Sequence, residues 1–140
     1  MGVGSDDDDD GASATTLSDV LAEEDRGVFL LKIDAQGHEW HVLQGARAYM
    51  ARHPVHFLLV EFYPKGLRAG GVEPLALLRL LQHELGYQCF DLRCSGAKAH
   101  HRALTLERFV AQYPPVTAHP YGAYTDLLCT RFDVLCRRRS

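Results

Sequence analysis

Two short and almost wholly apolar runs, Val28 to Asp34 and Val55 to Phe62, stand on either side of a segment whose apolar residues recur at helical spacing. Runs of this length, with β-branched residues at intervals, suit strands buried on both faces. Between them, from Glu39 to about Arg52, Val42, Leu43, Ala46, Tyr49 and Met50 fall on one face of a helix. His53-Pro54 ends that helix, because the residue before a proline is pushed out of the helical region. A strand, a helix and a second strand in this order form a right-handed parallel crossover, which restricts the chain to layered α/β architectures.

The flanking sequence extends the alternation. Thr16 is placed to cap a short helix with Asp19 three residues on, and Leu17, Val20 and Leu21 supply its apolar stripe as far as Asp25. Pro64, Gly66, Gly70 and Gly71 mark a loop after the second strand. Pro74 opens a helix that carries Leu77, Leu78, Leu81 and Leu85 on one face, and Gly86 stops it. Tyr87 to Leu92 reads as a strand, Thr105 to Tyr113 as a short helix and Asp126 to Phe132 as a last strand. The expected fold class is α/β, with a mostly parallel sheet flanked by helices.

A chain of 140 residues is the size of one domain. Residues 1–14 are Gly, Ser, Asp and Ala with little to bury, so an acidic disordered segment is expected there, a domain over 15–136, and a basic tail over 137–140. Five of the 18 acids lie in Asp6 to Asp10, which leaves 13 against 15 Lys and Arg. That surplus is too small for a nucleic-acid footprint, and no nucleic-acid partner is expected. No apolar run approaches the roughly 20 residues of a membrane span, and no export signal is seen, so a cytoplasmic location is expected. Cys89, Cys94, Cys129 and Cys136 include no CxxC pair, and reduced thiols are expected.

Ligands of open parallel sheets sit beyond the carboxyl ends of the strands. The first strand ends in Asp34-Ala35-Gln36-Gly37-His38-Glu39 and the second in Glu61-Phe62-Tyr63-Pro64, so Asp34 and Glu61 are expected to share one edge. Asp34 also suits a helix cap, Glu61 a solvated strand end and Glu39 the positive end of its helix. His38 follows the Gly37 turn at the same edge, where an imidazole can serve as an acid or a base. His38 and His41, His53 and His56, and His100 and His101 form pairs without a third ligand, so no metal site is expected.

The stretch Leu31-Lys32-Ile33-Asp34-Ala35-Gln36-Gly37-His38-Glu39, with Val42-Leu43-Gln44-Gly45-Ala46, resembles the signature of the FkbM family of S-adenosylmethionine-dependent methyltransferases. Thr16 to Leu21, Leu59-Val60-Glu61-Phe62, Leu81 to Phe90 and Thr125 to Cys129 resemble flanking segments of the same family, over roughly residues 15 to 132. The resemblance implies O-methylation of a hydroxyl on a sugar or other small metabolite, with S-adenosylmethionine as cofactor. It also implies a Rossmann-like methyltransferase fold whose last four strands match those read above, lacking the N-terminal cofactor-binding strands and their glycine-rich turn. On this reading Asp34, His38 and Glu39 are the catalytic candidates, Asp34, Gln36 and Gly37 the cofactor-side residues, and Glu61 and Tyr63 the substrate side. Gln36 stands where the family commonly has Glu. The chain by itself is expected to bind the cofactor weakly, to be inactive, and to self-associate through its exposed first strand. The alternative is a noncatalytic fragment or pseudo-enzyme acting as an interaction module.

Overall fold

The computed structural model describes residues 14–92, 106–114, 117–118, 120 and 122–131. The acidic segment and basic tail, His100 and His101, Cys94 and Cys136, the Thr105 cap and the Phe132 strand end lie outside the described residues. In chain order the elements are α1 (Leu17–Val20), β1 (Val28–Ile33), α2 (Glu39–Arg52), β2 (Val55–Phe62), α3 (Pro64–Ala69), α4 (Pro74–Arg79), β3 (Gln88–Asp91), α5 (Leu106–Gln112) and β4 (Thr125–Thr130).

The four strands form one sheet in the order β1-β2-β4-β3. β1 and β2 pair in parallel, with Leu31 beside Leu58 and Ile33 beside Val60, as the crossover through α2 requires. The expectation of a mostly parallel sheet is corrected: β4 runs antiparallel to both β2 and β3, so the sheet is mixed. β1, β2 and β3 keep the common direction that alternation with helices dictates. β4 enters from the opposite end and slots between β2 and β3, closing both of their inner edges.

One sheet face carries the core. Leu58, Val60 and Phe62 of β2, Leu127 and Cys129 of β4 and Cys89 of β3 are each fully buried, as are Leu43 and Ala46 of α2 and Leu77 and Leu78 of α4. β1 departs from the double burial its composition suggests, because it is an edge strand among the described residues: Phe29 is 72% exposed and Leu30 50%.

Three further expectations change. α1 closes after one turn, although its capping box is as read, with Thr16 Oγ1 accepting from Asp19 N–H at 3.1 Å. The region marked as a loop contains α3, since Pro64 occupies a helix start where no N–H is needed. Cys89 and Cys129 are joined in a disulfide rather than reduced, because the antiparallel register sets them directly opposite each other.

The helix begun at Pro74 widens in its last turn, where Leu85 N–H donates to the Leu80 carbonyl five residues back at 2.9 Å. The widening keeps Leu80 and Leu81 turned into the core, and Leu78 and Leu81 have no exposed surface. Leu78→Ala or Leu81→Ala is expected to cost about 2–5 kcal/mol in urea unfolding, the usual range for a buried leucine. A loss below about 0.5 kcal/mol would mean that this face is not core.

Candidate functional site

The carboxyl ends of β1 and β2 lie side by side, and the loop after β1 decides what faces outward there. Glu39, first residue of α2, is fully buried and bends back, accepting from Ala35 N–H at 3.0 Å and from Gly37 N–H at 3.0 and 3.1 Å with its two oxygens. It therefore staples the loop from within and offers no free oxygen to a ligand at this edge. Gly37 takes φ +103°, a conformation side chains disfavour, and its missing Cβ lets the loop lie directly on the Gly66 backbone of α3.

This packing sets Gln36, itself at φ +49°, over the strand ends. Its amide nitrogen donates to Asp34 Oδ1 at 3.0 Å and to Glu61 Oε2 at 3.1 Å, bridging two carboxylates from neighbouring strands. Lys32 Nζ stands 3.4 Å from Asp34 Oδ2. The two acids are held differently. The Gln36 hydrogen bond, aided by Lys32, keeps Asp34 below its ordinary value. Burial, followed by the like charges of Asp34, Glu39 and Asp126, pushes Glu61 up to about 7 against the opposing Gln36 hydrogen bond.

A recess of about 220 Å³ opens beside Glu61, lined by Gln36, Glu61, Tyr63 and Tyr124. The Tyr63 ring occupies the space a side chain on Gly66 would need. The structure thus brings together Asp34, Gln36, Glu61 and Tyr63 of the residues read from the sequence. Glu39 is turned into the loop and Gly37 is spent on backbone packing. His38 caps the start of α2 through its backbone alone, its ring 5.7 Å from that of His41, and does not line the recess. Asp34 caps no helix, since His38 occupies that position without a side-chain bond.

Sequence reading missed Tyr124 and Asp126. Their signal is the register of β4, which sets Asp126 opposite Glu61, and that register is unreadable until the direction of β4 is known. Among the described residues no group of three His, Cys, Asp or Glu side chains is placed to hold a metal, and no helix is long and apolar enough to cross a membrane.

A family model described as the methyltransferase FkbM domain matches residues 4–89, more than half of the chain. Comparisons with curated proteins and with solved structures found no match.

Proposed function

This chain belongs to the FkbM methyltransferase family, and from that premise we propose that it serves O-methylation of a hydroxyl on a sugar or other small metabolite, with S-adenosylmethionine as methyl donor. The observation that supports this reading is the pair Asp34 and Glu61, bridged by Gln36 at the mouth of a recess, with one acid poised near neutrality and the other kept ionised. A base whose pKa lies near the working pH combines a useful ionised fraction with useful proton affinity. Glu61 is accordingly the residue that takes the acceptor's proton. Asp34 is a positioning residue, which holds Gln36 and raises Glu61 through like charge. Tyr63 walls the acceptor side.

The described residues do not fit the whole donor. The recess is smaller than the roughly 300–1,000 Å³ of sites that enclose a drug-sized ligand. The chemistry assigned to these residues is therefore confined to the acceptor: they orient a hydroxyl and remove its proton. A Rossmann-like arrangement of the wider domain over 15–136 belongs to the same proposal.

The test is transfer of a labelled methyl group from S-adenosylmethionine to a panel of sugars and polyols. Asp34→Asn is expected to lower turnover roughly tenfold, and to move the acid-side inflection of the pH profile below about 7 as the repulsion on Glu61 falls. Transfer confined to nitrogen or carbon acceptors, or to none, would overturn the reading. A second reading, a noncatalytic module that pairs with another copy of itself, is favoured by the exposed Phe29 and Leu30 on edge strand β1. A chain that sediments as a monomer removes it.

A further inference from the structure

The recess beside Glu61 combines two aromatic walls with negative charge. Tyr63 and Tyr124 line it together with the Glu61 carboxylate and the Gln36 side chain. The Gln36 amide hydrogens turn toward Asp34 and Glu61, so the amide leaves the surrounding charge negative. Asp34 lies across that bridge, Asp126 stands opposite Glu61 on β4, and Glu39 sits behind the loop, while Lys32 is paired with Asp34. Aromatic side chains beside a carboxylate at a shallow pocket attract organic cations, because the ring quadrupole and the anion act in the same direction. A neutral polyol lacks the charge that the rings and the carboxylate both favour, and an anion is repelled by the acids.

We infer that this recess takes an organic ammonium, so that the hydroxyl acceptor is an amino alcohol or amino sugar whose cation lodges between Tyr63 and Tyr124. Its hydroxyl then lies toward Glu61. The inference rests on the proposed methyl transfer for the word acceptor, but the ammonium site has its own readout. The volume, about 220 Å³, has room for a headgroup of this size.

The experiment titrates ethanolamine, ethylene glycol and glycolate into the whole chain labelled with ¹³C in its tyrosine rings, followed by nuclear magnetic resonance. Ethanolamine is expected to shift two tyrosine signals saturably, binding at least about fivefold more tightly than ethylene glycol, with glycolate weaker still. Tyr124→Leu keeps apolar bulk but removes a ring face, and is expected to abolish most of that preference while circular dichroism stays unchanged. Equal binding of the glycol, or a preference unaltered in both Tyr124→Leu and Glu61→Gln, overturns the inference. A repeat in the presence of S-adenosylmethionine separates the two sources of cation. Unchanged ethanolamine binding supports an acceptor site, whereas competitive displacement assigns the recess to the donor's sulfonium and overturns it. Failure of methyl transfer to every hydroxyl, with ethanolamine still bound at the tyrosines, sinks the O-methylation reading and leaves the ammonium site standing.

Discussion

Gly37→Ala is expected to destabilise the protein by roughly 2–5 kcal/mol and to scatter the acidic edge. Two costs combine at this position. The first is conformational, since φ +103° disfavours any side chain. The second is steric, because the new methyl group would overlap the Gly66 carbonyl of α3, which is backbone and cannot swing aside. Gly71→Ala separates the two costs: Gly71 also has a positive φ, +81°, but nothing lies within 4 Å of where its methyl would go. That variant should lose only about 1 kcal/mol. Urea unfolding of both variants checks the difference. Equal losses would mean that the loop does not press on α3, and that Gln36 is aimed at Asp34 and Glu61 by something else.

The same loop shows why part of the site was legible in sequence and part was not. Asp34 and Glu61 follow apolar runs that end at the same level of a parallel pair, so their shared edge follows from the crossover rule alone. Glu39 at the start of a helix has the pattern of a dipole partner, yet its carboxylate is used on the N–H groups of Ala35 and Gly37, a choice made by the loop's path rather than by spacing. Pro64, Gly66 and Gly70 read as a loop because each is a breaker in isolation. In the structure the proline begins α3 and Gly66 provides the close approach that seats Gly37.

The direction of β4 had no local signal. Thr125–Thr130 has the same apolar content whichever way it runs, and only its partners distinguish the two. Three consequences stayed hidden with it: the mixed sheet, the Cys89–Cys129 bond and the approach of Asp126 to Glu61. The edge position of β1 among the described residues was hidden for a related reason. An apolar run reports what a strand can bury, and Phe29 and Leu30 are apolar whether or not another strand lies beside them.

Glu61→Gln is expected to lower methyl transfer by about 10²- to 10⁴-fold, the range that a positioned base contributes. The substitution keeps the size of the side chain and an oxygen for the Gln36 amide, but removes the proton acceptor. Stability should move the other way, and the sign follows from linkage. The carboxyl of Glu61 is raised in the folded protein from 4.5 to about 7, so between those values the folded state holds a proton that the unfolded state has released. Stability therefore falls as pH rises from about 4.5 to about 7, and above 7 the full cost of keeping Glu61 ionised beside Asp34, Glu39 and Asp126 is present. The amide that replaces the carboxyl has no proton to lose, so the variant should lack this component of the pH dependence and be at least as stable as the wild type at pH 8. In the wild type, transfer should rise with pH through about 7 as Glu61 ionises. Unfolding curves at pH 5 and pH 8, set beside transfer rates at the same values, separate a base from a structural residue. Retained transfer in a folded variant would remove Glu61 from the chemistry, and lost stability at pH 8 would show that its carboxylate holds the edge together rather than acting on an acceptor.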